Sequence, residues 1–169
     1  MKMKVMYCPF ADATLIDACG RILKSHNSKH TLDRFDTKVL KLGKNALKGV
    51  GMFQQIYIVA HGSAGQGSIY DDSGAPMTVG DLAKQMKDEG LTNSIRKVKL
   101  YCCNGGSSGH QSTAKQLKAA MLLAGFNNVS TYGYTLMLDQ GNLTDGGSKE
   151  AYADENAAGV SAKSVRVKF

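Results

Sequence analysis

Two short runs place chemically capable side chains at the ends of apolar segments. Gln55-Ile56-Tyr57-Ile58-Val59-Ala60 leads into His61-Gly62-Ser63-Ala64-Gly65-Gln66-Gly67, and Lys97-Val98-Lys99-Leu100-Tyr101-Cys102 leads into Cys103-Asn104-Gly105-Gly106-Ser107-Ser108-Gly109. A thiol attacks as its thiolate and needs a base or a positive neighbour, and an imidazole supplies either. Cys103 is therefore a candidate nucleophile and His61 its candidate base. The Gly-rich turn after Cys103 is expected to open a helix, whose free N–H groups and dipole would favour a thiolate. The N–H groups of Cys103 and Gly62 are the candidate oxyanion hole, and the neighbouring glycines let a substrate backbone come close.

Something must bring the two residues together. Both apolar runs read as strands buried on both faces. Between them Ser68–Met77, with Asp72-Ser73-Gly74, suits a hairpin or flap. Thr78 then looks like the N-cap of a helix, with Asp81 three residues on, that Gly90 stops. Upstream, Lys2–Tyr7 reads as a first strand and Ala11–Lys24 as an amphipathic helix through Leu15, Ile16, Cys19, Ile22 and Leu23. Ser25–Asp36 reads as a loop and Thr37–Leu47 as a further helix. Downstream, His110–Ala124 reads as a helix, and Val129–Leu138 as β-rich but broken at Gly133. Residues 139–159 read as irregular, and Val160–Phe169 as a final edge strand or hairpin arm. Alternating strands and helices predict a mostly parallel sheet covered on both sides, with its site outside the carboxyl ends of the strands. His61 and Cys103 each fall one residue beyond a strong strand, so a right-handed crossover between neighbouring strands would bring both to one edge.

Length, charge and cysteine usage narrow the classes. The chain has 169 residues, one domain's worth, with 43% hydrophobic and 21% charged residues. No apolar run approaches the roughly 20 residues of a membrane span, and no signal peptide stands out at the start. Cysteines at 8, 19, 102 and 103 suit neither a disulfide framework nor a zinc site, so no metal is expected and a reducing compartment is. Cys8 and Cys19 read as packing residues, and His26, His30 and His110 as surface ones. Of the net charge of +7, residues 1–50 contribute +6, ten Lys or Arg against four Asp. Such a run is either a solvated face or an anion-binding surface. Lys2 and Lys4, with Lys163, Arg166 and Lys168 on the last strand, are the candidate polyanion ligands.

Two other readings compete. Gly105-Gly106-Ser107-Ser108-Gly109 matches Gly-x-Ser-x-Gly, which would make Ser107 the nucleophile of a serine α/β-hydrolase. The elbow requires its strand to run straight into the first glycine, and here Cys103 and Asn104 intervene. A non-enzymatic polyanion-binding α/β domain is the second. No Gly-x-x-x-x-Gly-Lys-Ser/Thr loop supports it, and the aromatic residues are not interleaved with the basic ones, so nucleic acid is not an expected partner.

Apolar strand, His61-Gly62, apolar strand, Cys103 resembles the arrangement of the caspase-like cysteine peptidases. Tyr101-Cys102-Cys103-Asn104-Gly105 is similar to their Gln-Ala-Cys-x-Gly signature, with Cys102 where the pattern has Ala. The stretch Ile56–Leu138, including Leu82-Ala83-Lys84 and Tyr132-Gly133-Tyr134, looks most like the self-processing domains of RTX toxins and related bacterial effector proteases. The resemblance covers roughly the central half of the chain; with the length, it implies a single cysteine peptidase-like domain over 1–169, a caspase-like three-layer α/β sandwich with a mostly parallel central sheet. It implies peptide-bond hydrolysis of a protein or peptide substrate by a Cys103–His61 dyad without an obligatory third member, with no cofactor required for the chemistry. It also implies activation by inositol hexakisphosphate, and a cytoplasmic protein or one delivered into a host cytosol.

Overall fold

A computed structural model describes residues 3–29, 38–138, 150–153 and 158–169. Its centre is a six-stranded sheet in the order β12-β8-β7-β3-β1-β2. The strands are β1 (Met3–Cys8), β2 (Lys38–Lys41), β3 (Gln54–Val59), β7 (Lys97–Tyr101), β8 (Ser130–Tyr134) and β12 (Arg166–Lys168). All neighbours run parallel except the β12–β8 pair. The protein is thus a mixed α/β fold on a mostly parallel sheet.

Two small antiparallel sheets flank this one, β4 (His61–Gly62) with β5 (Ser68–Tyr70) and β6 (Pro76–Thr78), and β9 (Met137–Leu138) with β10 (Glu150–Tyr152) and β11 (Val160–Ser161). Three α-helices are described, α1 (Ala13–Lys29), α2 (Val79–Asp88) and α3 (Thr113–Leu123). On one face α2 reaches β1 through Gln85 Nε2, which donates to Tyr7 Oη at 2.8 Å. On that same face Thr131 Oγ1 of β8 donates to Ala114 O of α3 at 2.6 Å. The β1–β2 crossover runs in the opposite lateral direction, so right-handedness puts α1 on the other face. There Cys19 lies near Cys8, and burial, then the Cys8 charge, push the Cys19 thiol up to about 12. Val5, Ile56, Ile58, Val98 and Leu100 are fully buried, as the apolar runs of these strands require.

Local chemistry sets the ends of the elements. Thr78 caps α2 by accepting from Asp81 N at 3.1 Å, and Gly90, at φ +89°, ends it. The expected helix over Thr37–Leu47 does not form. Thr37 lies outside the described residues, and Lys38–Lys41 is an edge strand in register with Val5–Cys8. Val39 and Leu40 fit a strand's period as well as a helix's. Asn45 at φ +61° and Gly49 at φ +82° then impose turns. The α1 helix runs to Lys29, past the expected loop start at Ser25, and His30 lies outside the described residues. The helix expected from His110 begins at Thr113, because Ser112 is its cap and a 3-10 turn occupies Gly109–Gln111.

Gly133 does not break β8 but lies within it. An added Cβ there would sit 2.5 Å from Gly106 N and 2.7 Å from Gly105 O, so the glycine marks a close backbone approach.

Candidate functional site

Strands β3 and β7 are direct neighbours, with Val59 opposite Tyr101. His61 and Cys103 each lie two residues beyond that pair, at the carboxyl edge of the sheet. The loops touch: a Cβ on Gly62 would meet Cys102 Sγ and Cys103 O, both at 2.6 Å. Only glycine lets the His61 loop lie this close to the Cys103 turn.

The two cysteines of the doublet differ in environment. Cys102 is fully buried, and its sulfur fills the space left by Gly62 and Gly105. Burial, then the Cys103 charge, push the Cys102 thiol far above its ordinary range, and a hydrogen bond from the Gly105 backbone offsets part of this. Burial likewise raises Cys8. Cys103 is the one half-exposed cysteine of the four. Its sulfur accepts from Leu138 N at 3.3 Å.

The turn after Cys103 is held by main-chain bonds. Asn104 takes φ +54°, Asn104 N donates to Leu136 O at 3.1 Å, and Gly106 N donates to Tyr134 O at 2.8 Å. Ser107 N donates to Asn104 O at 3.0 Å. These N–H groups are committed to main-chain acceptors; the oxyanion candidates of the sequence reading are those of Cys103 and Gly62. The α3 dipole does not reach Cys103 as expected, since that helix starts ten residues later and Ser112 Oγ caps it from Lys115 N at 3.3 Å. Ser107 Oγ donates to Thr135 O at 2.9 Å, so this hydroxyl has a structural occupation. His110 is exposed on the 3-10 turn, its Nδ1 against Lys115 Nζ.

His61 is half-exposed, and its Nε2 lies 3.2 Å from Asp72 Oδ1 at the turn between β5 and β6. Among the described residues no hydrogen bond joins the imidazole to the Cys103 thiol. Sequence reading missed Asp72, because an Asp-Ser-Gly run reads as turn chemistry. The available signal was the hairpin itself, which must fold back over the histidine that opens it.

A second cluster lies on the face of the sheet away from α2 and α3. Tyr57, Lys99, Tyr132 and Lys168 stand opposite one another on β3, β7, β8 and β12, and Tyr134 stands opposite Arg166. Lys99 is 6% exposed, and its ammonium donates to Tyr57 Oη at 2.8 Å and lies 4.5 Å from the centre of that ring. Arg166 lies over Tyr132, 5.5 Å from the ring centre. Burial, then the Arg166 charge, lower the Lys4 pKa, which brings Lys4 within electrostatic reach of β12. Of the expected polyanion ligands, Lys4, Arg166 and Lys168 are thus on this part of the sheet. Lys163 stands exposed on the turn before β12 and Lys2 lies outside the described residues. Lys99 was missed because a lysine inside a buried strand reads as an interruption.

The fold and this edge define an α/β protein with a half-exposed cysteine and a histidine just beyond the ends of adjacent parallel strands. Residues 31–145 match the family described as a domain of unknown function, DUF8616, and the chain belongs to that family. No curated protein matches the chain. Among the described residues no helix is long and apolar enough to cross a membrane, and no group of three or more His, Cys, Asp or Glu could hold a metal ion.

Proposed function

We propose that this protein is a cysteine peptidase of the caspase-like three-layer type. Cys103 is its nucleophile and His61 its base. The observation that carries the reading is the register: two residues past the Val59–Tyr101 pair, adjacent strands deliver an imidazole and a half-exposed thiol to one edge. In this reading the Cys103 sulfur gives its proton to His61 and attacks the peptide carbonyl carbon. The carbonyl electron pair moves onto oxygen, toward the N–H groups of Gly62 and Cys103. When the carbonyl re-forms, the C–N bond breaks and the imidazolium returns the proton to the leaving amine. Water, deprotonated by the same imidazole, then cleaves the thioester to a carboxylic acid and regenerates the thiol.

A compact polyanion, with inositol hexakisphosphate the leading candidate, is the proposed activator. Lys4, Lys99, Arg166 and Lys168 lie on one face of the sheet, on β1, β7 and β12, and such a ligand needs cations from separate elements. The chain of β12, β11, β10 and β9 then leads back to Leu138, whose N–H lies on the Cys103 sulfur. The resemblance to toxin-processing domains supports, as part of this proposal, a cytoplasmic protein or one delivered into a host cytosol.

The test is mass spectrometry of new N-termini in a denatured protein mixture, with and without inositol hexakisphosphate. Wild type and Cys102→Ala should generate new termini and Cys103→Ala none. His61→Ala should slow cleavage by about 10²–10⁴-fold. Absence of new termini with wild type in both conditions overturns the peptidase reading. Loss with Cys102→Ala and retention with Cys103→Ala moves the nucleophile by one residue.

A further inference from the structure

The turn between β5 and β6 is built more firmly than a surface hairpin needs. Asp71 Oδ1 accepts from Ser73 Oγ and from Ala75 N, each at 2.8 Å, and these bonds, Ser73 first, hold its carboxyl below the usual range. Asp71 N donates to Ala75 O at 3.1 Å and Gly74 N to Asp71 O at 3.1 Å, which Gly74 allows at φ +85°. The turn is also tied to a distant element, since Asp72 N donates to Asp12 Oδ2 at 2.8 Å. The other oxygen of Asp12 accepts from Leu15 N at 2.9 Å in the first turn of α1. Asp12 therefore joins the start of α1 to the hairpin, and Asp72, fixed from behind, presents its own carboxylate to His61.

From this arrangement we infer that Asp72 is the positioning residue of His61, and that Asp12 positions Asp72. The inference rests on the Cys103–His61 reading for its catalytic consequence, though not for its geometry. An ionised carboxylate only accepts hydrogen bonds. At 3.2 Å from Asp72 Oδ1, the imidazole Nε2 must carry the hydrogen, which leaves Nδ1 with the lone pair. Nδ1 is then the atom that takes the thiol proton. The hairpin is thereby part of the catalytic apparatus and not only a cover over it. Asp72 makes no hydrogen bond to the Cys103 thiol and acts through the ring.

The experiment combines ring-nitrogen NMR with kinetics on the full chain. Above the imidazole pKa, the wild-type His61 ring should show a protonated Nε2 and an unprotonated Nδ1. In Asp72→Ala the two ¹⁵N shifts should move toward the average of the two tautomers. In the same variant kcat should fall about tenfold, the factor that 1.4 kcal/mol makes, while KM stays within about twofold. Asp72→Asn, whose carbonyl can still accept from Nε2, should recover most of the loss. Asp12→Asn keeps one oxygen for the α1 cap but none for Asp72 N, and should reproduce part of the Asp72→Ala shift change with α1 intact by circular dichroism. Unmoved ¹⁵N shifts in Asp72→Ala, or a rate that rises, overturn the inference. If the shifts move as expected and wild type cleaves no peptide, the positioning role stands and the peptidase reading falls.

Discussion

Replacing Gly133 by alanine tests whether the Cys103 turn is held by backbone packed directly on backbone. The new Cβ would lie 2.5 Å from Gly106 N, 2.6 Å from Gly105 C and 2.7 Å from Gly105 O. Ordinary contacts begin near 3.4 Å, so β8 and the turn must separate by most of an ångström. All three obstructing atoms are main chain, so no rotamer change relieves the clash. Overpacking of this kind costs about 1–3 kcal/mol. The separation also stretches the 2.8 Å bond from Gly106 N to Tyr134 O, worth about 1 kcal/mol. Against this, alanine loses less chain entropy on folding, an offset of about 0.4–1 kcal/mol. The net expectation is destabilisation by about 2 kcal/mol, which for a chain of this size lowers Tm by about 4–8 °C. Gly20→Ala is the control. Gly20 lies in α1 with nothing within 4 Å of its would-be Cβ, so alanine should stabilise by up to about 1 kcal/mol. Urea unfolding with an unchanged m-value measures both. If Gly133→Ala unfolds within about 0.5 kcal/mol of wild type, a scatter normal for surface changes, the close approach does not hold the turn and the account of Gly133 is wrong.

Two further predictions follow from buried charge. Glu89 is 5% exposed, and burial raises its pKa despite hydrogen bonds from Tyr7 and Gly43 N. A carboxyl whose folded pKa is raised contributes stability below its unfolded pKa, about 4.3, and loses it as pH rises through the folded value. Glu89→Gln should therefore gain stability relative to wild type at neutral pH and lose that advantage below about pH 4; an advantage that grows on acidification would contradict the sign. For the basic face, inositol hexakisphosphate at a hundredfold its Kd should add about 2.7 kcal/mol at physiological salt. Arg166→Gln and Lys99→Met should abolish that gain, and an equal gain from any sulfated polymer would leave only a generic basic surface.

The parts of the fold legible in the sequence were those where one local rule dominates. The buried runs before His61 and Cys103 are β3 and β7 within a residue, because a strand covered on both faces is written in continuous apolar residues. Thr78 and Asp81 mark the α2 start for an equally local reason. Val39-Leu40 misled because four residues cannot distinguish a helical period from a strand's, and pairing with β1 decided it. Gly133 misled because a glycine in a strand signals either a break or a close approach, and only the tertiary partner says which. Asp72 and Lys99 needed three dimensions, since neither has its partner nearby in sequence. Charge counting also pointed to the first fifty residues, whereas three of the four cations gathered on the sheet face, Lys99, Arg166 and Lys168, come from later in the chain.

The Cys102-Cys103 doublet shows how such an edge is built. Side chains of successive residues leave an extended chain on opposite sides. Here the first is driven into the gap between Gly62 and Gly105 and the second is left half-exposed. The plug is a small, soft hydrophobe that needs no partner in its neutral form. With its pKa raised by burial it stays neutral, so it puts no negative charge beneath the neighbouring sulfur. A Cβ on Gly62, Gly106 or Gly133 would press on main-chain atoms, and one on Gly105 would press on the Cys102 sulfur at 2.8 Å. None of the four can gain a Cβ without displacing the turn or that sulfur. The rim is built differently, by the Asp72 carboxylate in the turn between β5 and β6 and by the Leu138 N–H of β9. Changes at the rim should alter which ligand is accepted or how the imidazole is held, whereas changes in the glycine stack should cost the site itself.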